Sequence, residues 1–268
     1  MRSVVSIAGV ALALELPDAS FSEKVLEVWT PFLTRTTPDW TLRSTLSPRF
    51  RTELRAEEQV LPPTARSGNE VHIEGANFRL VLHPARRHAE LVQAEGRFAV
   101  ETAVKMVLAE ALDAGGGFLV HGVGLASGGM GALFTGASGA GKSTLGEWAL
   151  QGGMCRLADE LVGVLPEGGG YRLHGTPWNV GVPETCSLSF VGRLRHAPGP
   201  ALSPAPAAEL LRLLMPNTLL TDGTAGGRAR RFRDVSALLR QVPSRELAFA
   251  PRTDVAGCVM SALQNPAR

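Results

Sequence analysis

Gly136-Ala137-Ser138-Gly139-Ala140-Gly141-Lys142-Ser143 is the stretch whose reading decides the fold. It fits G-x-x-x-x-G-K-[ST] at every fixed position, the pattern of a loop whose backbone N–H groups curl around phosphate oxygens. The apolar run Gly131–Thr135 before it reads as a short buried strand, and Thr144-Leu145-Gly146-Glu147-Trp148-Ala149-Leu150 after it as the opening turns of a helix. The motif requires that setting, because the helix N-terminus adds partial positive charge to the loop amides. Gly136, Ala137, Ser138, Gly139, Ala140, Gly141, Lys142, Ser143 and Thr144 are therefore the expected nucleotide-binding residues. Lys142 is expected to reach the β- and γ-phosphates, and the Ser143 hydroxyl to hold Mg²⁺. The chain has only three lysines, Lys24, Lys105 and Lys142, and otherwise uses arginine. A compact ammonium on a flexible stem suits a phosphate cradle.

Composition sets the frame around this loop. A chain of 268 residues with 44% hydrophobic and 19% charged residues suits one main domain plus a smaller one. A net charge of +2 compels neither a nucleic-acid nor a membrane partner. Cys155, Cys186 and Cys258 are scattered, with no C-x-x-C pair, which argues against a disulfide framework or a zinc site and fits a reducing cytoplasm. Arg2 and the apolar stretch Val4–Leu14 have the outline of a secretory signal core, but Glu15 and Pro17 follow at once and no small-residue cleavage site is clear. Val4–Leu16 is read instead as one strand. No run approaches the roughly 20 apolar residues that span a bilayer.

Residues 1–95 read as a small mixed, strand-rich unit. Ser22–Leu33 has helical spacing with Ser22 as its cap, Val71–Leu82 reads as a hairpin turning at Gly75–Asn77, and Leu91–Glu95 as a further strand. From residue 96 to 268 the order changes. Arg97–Ala111 is helical by its apolar spacing, Phe118–Leu125 a strand, then the phosphate loop with its helix to about Gln151. Met154–Leu165 reads as a returning strand, and Tyr171–His174 as another. Pro198–Pro206 is a connector, 207–215 a helix stopped by Pro216, Arg233–Arg240 a helix and Leu247–Ala250 a short strand. This order argues for an α/β core.

A phosphate loop by itself names no reaction. Phosphoryl transfer also needs an acid near the metal. Asp159 and Glu160 follow Ser143 by sixteen and seventeen residues, the length of one helix plus one returning strand. A carboxylate there either helps hold Mg²⁺ or accepts a proton from an attacking hydroxyl. Neighbouring strand residues point to opposite faces, so both acids meet the phosphate only where the strand has already ended. His121, between Val120 and Gly122, is either a structural histidine or a group within reach of the phosphates. Arg228, Arg230, Arg231 and Arg233 form either a solvated face or a source of one phosphate clamp.

The run Val120-His121-Gly122-Val123, the loop Gly136–Ser143 and Leu157-Ala158-Asp159-Glu160 together resemble HPr kinase/phosphorylase over residues 118–180. The resemblance implies a serine kinase whose phosphate-loop core is akin to ATP-type phosphoenolpyruvate carboxykinase. It also implies Glu160 as the base toward the substrate hydroxyl, Asp159 as a metal-binding or orienting acid, His121 near the γ-phosphate or the base, and a homo-oligomer. The family has Asp where this chain has Glu160, one methylene longer. Its later signature is only echoed by His174-Gly175-Thr176-Pro177-Trp178-Asn179-Val180, which puts the reverse phosphorylase reaction in doubt. The chain looks closer to shorter, divergent members that sit beside peptide-modification systems, lasso-peptide kinases among them. In those, Pro177-Trp178 is either core packing or a substrate wall.

The expected function is thus an ATP- and Mg²⁺-dependent kinase acting on a serine of a protein or peptide, with Glu160, Asp159, His121 and Lys142 as catalytic residues and Ser143 and Asp159 at the metal. Its rivals are a P-loop ATPase or GTPase switch with water as acceptor, a kinase of a small-molecule hydroxyl, and a nucleotide-binding protein without turnover.

Overall fold

The computed structural model describes residues 1–250 and 254–264. Residues 251–253 and 265–268 of the expected second unit lie outside the described residues. The described chain is mixed α/β, with two sheets and six α-helices. It divides into two compact units, one formed by Met1–Ala114 with Leu220–Ala229, the other by Gly115–Leu219 and the chain from Arg230 on.

In the first unit the apolar N-terminal stretch is two strands rather than one, β1 (Arg2–Ile7) and β2 (Val10–Glu15). Ala8 and Gly9 turn the chain with φ of 50° and 76°, the positive pair that matches the twist of a tight hairpin. Helix α1 (Ala19–Leu26) is capped by Asp18, whose carboxylate accepts from the Phe21 N–H at 2.9 Å. Ser22 lies inside this helix, and a 3₁₀ segment, Glu27–Phe32, continues it. Then come β3 (Trp40–Leu46), β4 (Thr64–Ser67), β5 (Glu70–Gly75), β6 (Phe78–His83), β7 (His88–Gln93) and α2 (Arg97–Asp113). The sheet order is β1-β2-β3-β7-β6-β5-β4. Helix α2, expected to open the second unit, packs on β2, β3, β6 and β7 of this sheet. Its apolar face, including Val100, Val104, Val107 and Leu108, is fully buried there.

The second unit holds β8 (Phe118–His121), β9 (Val123–Ser127), β10 (Met130–Thr135), α3 (Lys142–Gln151), β11 (Cys155–Ala158), β12 (Leu161–Glu167), β13 (Gly170–His174) and β14 (Thr185–His196). They are followed by β15 (Ala201–Pro204), α4 (Ala207–Asn217), α5 (Ala225–Gln241, which belongs to this unit from Arg230 on), β16 (Ser244–Phe249) and α6 (Val255–Gln264). Pro216 lies in the last turn of α4. The main strand order is β11-β9-β10-β14-β13-β12-β8, with β16 also pairing β14. β8 and β9 are separated by one residue, Gly122, yet four strands stand between them in that order, so the sheet curls until its ends meet. A Cβ on Gly122 would lie 2.6 Å from the Phe134 carbonyl oxygen, and only glycine fits the junction.

Both faces of this sheet are covered. Along β10, Leu133 packs with Leu210 and Leu214 of α4 and Val235 and Leu238 of α5. Ala132 and Phe134 point the other way, onto Leu145 and Ala149 of α3 and Val255 and Val259 of α6. Strands buried on both faces read as continuous apolar runs, which is how Gly131–Thr135 looks in the sequence.

Candidate active site

Two expected strands are each split, and the splits make the site. The first break, at Gly122, separates β8 from β9. The second, at Asp159-Glu160, separates β11 from β12, so neither acid is held to strand alternation. The two breaks are hydrogen-bonded to each other, with the Gly122 N–H donating to the Glu160 carbonyl at 3.0 Å. Thr135, the buried last residue of β10, donates its hydroxyl to the His121 carbonyl at 3.0 Å. The start of the loop, the histidine and the acids are thereby fixed to one another through backbone groups.

The loop leaves β10 at Gly136 and enters α3 at Lys142. Gly139 and Gly141 take φ of 78° and 96°, values that a side chain would strain. Gly141 caps α3 and no side chain caps it, so the first-turn amides are left for an anion or water. The Lys142 ammonium donates to the carbonyls of Gly136 at 2.9 Å and Ala137 at 3.1 Å, folded back over the loop.

A cavity of about 410 Å³ opens at this loop, lined by His121, Ser138, Gly139, Gly141, Lys142, Ser143, Thr144, Asp159, Glu160 and Asn179. Asp159 is 8% exposed and Glu160 half-buried, while Ser143 and His121 are exposed. Burial pushes the Asp159 carboxyl above its ordinary value, against the hydrogen bond with Ser143 and the charges of Arg156 and Lys142. Burial likewise lowers the Lys142 ammonium, opposed by Asp159. Both shifts run toward the neutral form, so the pair does not supply all the charge compensation that each group lacks.

Of the expected residues, Gly136, Ala137 and Ala140 form the loop backbone without lining the cavity, and the others all line it. Three residues in or near the site lay outside the expected set. The Asn179 side-chain amide donates to the Asp159 carbonyl at 3.2 Å and faces its Oδ2 at 3.4 Å. Asn179 reaches that place because the segment 175–182 is drawn under β11. The Val182 N–H donates to the Leu157 carbonyl at 3.0 Å, and Cβ atoms on Gly175 or Gly181 would strike backbone oxygens at 1.8 and 1.6 Å. Thr135 and Arg156 are the others. The tempting partner in the same segment, Trp178, is 3% exposed and belongs to the interior. Arg231 is 1% exposed, its guanidinium 4.9 Å over the Phe118 ring and donating to the Gly117 carbonyl at 3.1 Å. It is an anchor within the second unit, unlike Arg228, Arg230 and Arg233, which are exposed.

No cluster of three or more His, Cys, Asp or Glu side chains able to hold a metal occurs among the described residues. The donors at hand, one hydroxyl and one carboxylate, fit Mg²⁺, which takes few protein ligands and fills its shell with phosphate oxygens and water. Among the described residues no helix is long and apolar enough to cross a membrane.

No family model matches the chain, and no curated protein matches it. Among solved structures it is similar to the HPr(Ser) kinase/phosphatase from Coxiella burnetii, at 12% identity and a TM-score of 0.32, over 55% of this chain and 88% of that one.

Proposed function

We propose that the chain is a serine-kinase-type phosphotransferase, moving the γ-phosphate of ATP to a serine hydroxyl of a protein or peptide with Mg²⁺ as the metal. One observation carries this reading: a single cavity is lined at once by the loop, by Lys142, by Ser143 and Asp159, and by Glu160 and His121. A nucleotide switch has use for the first three. A second carboxylate at the mouth supplies what a hydroxyl acceptor needs, a base.

In this reading Lys142 leaves the Gly136 and Ala137 carbonyls and turns to the β- and γ-phosphates, whose charge offsets its desolvation. Ser143 and Asp159 are the protein's donors to Mg²⁺, which when bound neutralises charge developing on the phosphates. Asn179 holds the Asp159 backbone. Glu160 takes the proton of the serine hydroxyl as its oxygen bonds to the γ-phosphorus. The bond from that phosphorus to the β,γ-bridging oxygen breaks, and ADP leaves with the electron pair. His121, which lines the same cavity, would stand near the γ-phosphate or the base. Transfer of this kind depends on positioning and charge stabilisation, so side chains that only orient still matter to its rate.

The test is a library of serine-containing peptides and proteins with γ-labelled ATP and Mg²⁺. Label is expected on acceptors with serine, to vanish with Ser→Ala acceptors, and to fall about 10²–10⁴-fold with Glu160→Gln enzyme. Free phosphate released at one rate with or without acceptor, and no labelled product, would make the chain a hydrolase instead.

A further inference from the structure

The phosphate loop has a second flank, away from the acids. β14 and β16 both continue the parallel run of β10, with Thr135 paired to Arg193, Arg193 to Glu246 and His196 to Phe249. β14 thus extends three residues beyond the last paired residue of β10, about 10 Å at the rise of a strand. That extension stands beside the loop. A Cβ on Gly141 would lie 3.3 Å from Phe249 Cζ and 3.9 Å from His196 Cε1, so both rings lie close to the last loop residue before α3. Strand alternation puts His196 on the face of Leu194, which packs with the α3–α6 cluster. Arg193 and Arg195, on the other face, are engaged by Glu209 and Glu246. Phe249 is buried, whereas its register partner His196 is exposed.

The acids follow β11, whose neighbour β9 flanks β10 on the side opposite β14. A nucleoside triphosphate laid across the loop with its γ-phosphate at Glu160 therefore has its nucleoside end toward β14. Resting on the kinase reading, we propose that His196 is a nucleobase contact, its imidazole face stacking on the base at the end of the β14 extension. A flat, exposed ring at the loop's edge suits a π-face and carries no demand for one particular base.

Binding measurements with two probes, ATP and inorganic tripolyphosphate, test this on the full chain with Mg²⁺. His196→Ala is expected to weaken ATP about tenfold while leaving tripolyphosphate unchanged. His196→Phe, which keeps a stacking face, is expected to retain wild-type ATP binding. His196 is exposed, so both variants fold. Equal weakening of both probes would make His196 a phosphate contact, and no change in either would place it outside the site; each overturns the assignment. Lys142→Ala run in parallel separates the two levels. Lost ATP binding there with intact binding in His196→Ala removes only the His196 contact, whereas intact ATP binding in Lys142→Ala removes the nucleotide reading with it.

Discussion

Glu110 in the first unit and Asp159 in the second are both largely buried carboxylates in opposite surroundings. Glu110 accepts two hydrogen bonds from Arg66, at 2.7 and 2.8 Å, and one from the Thr221 hydroxyl. Asp159 meets an amide from Asn179 and lies near the Ser143 hydroxyl and the Arg156 charge, beside a lysine whose ammonium is itself disfavoured by burial. The first carboxylate has its counter-charge built in. The second is only partly compensated by Arg156 and Lys142, and only the second faces the loop cavity. Incomplete compensation at a buried group that lines a cavity is the pattern expected of a binding site, and a closed ion pair that of a structural one.

The comparison breaks most sharply at Asp159. Asp159→Asn is expected to lower phosphoryl transfer about 10²–10³-fold, as loss of a preorganised charge does. Its effect on stability has the other sign. The folded-state value of Asp159 lies above the unfolded one, so its contribution is favourable at acid pH and is lost as pH rises through the folded value. At pH 7 the charged group therefore costs stability. The asparagine protein should melt about 2–4 °C higher there, with the gain disappearing toward pH 4. A melting point that falls at pH 7 would show Asp159 to be as well paired as Glu110.

Glu110→Gln should behave in reverse. Breaking a buried pair leaves the Arg66 charge unmatched, at a cost of about 3 kcal/mol in chemical denaturation. Transfer per folded molecule should be unchanged, and a large drop in it would remove the contrast between the two carboxylates. A smaller effect is expected at Asn179, whose amide meets the Asp159 carbonyl at 3.2 Å and its Oδ2 at 3.4 Å and so acts through Asp159. Asn179→Ala should lower kcat about tenfold with little change in KM for ATP, measured under saturating Mg²⁺. Unchanged kcat would show that the segment 175–182 supports the fold alone.

Much of this was legible in the residues because it is local. Gly136–Ser143, the strand before it and the helix after it carry their own signals, and so does the hairpin at Val71–Leu82, found as β5 and β6. What escaped is what long-range pairing decides. Phe118–Leu125 and Met154–Leu165 look like single strands, and only the curl of the second sheet breaks them at Gly122 and Asp159-Glu160. β14 is a 12-residue strand at the centre of that sheet, yet Ser and Arg interrupt its apolar residues and hide it. The bond of Asn179 to Asp159 escapes for a similar reason, since it depends on glycines at 175 and 181 that let the segment close against backbone oxygens. Ala8-Gly9 shows the reverse case, a turn concealed inside an apolar run because Ala8 is itself buried.

Lys142→Ala with γ-labelled ATP and Mg²⁺ tests the central claim most directly, with fold checked by circular dichroism and melting. Lys142 donates its hydrogen bonds to the loop carbonyls of Gly136 and Ala137 and its ammonium is disfavoured by burial, so its removal should leave the melting point within about 2 °C. Transfer of label to the acceptor should fall at least about 10³-fold. A folded Lys142→Ala protein that moves γ-phosphate at the wild-type rate would contradict the assignment of this cavity as a phosphoryl-transfer site.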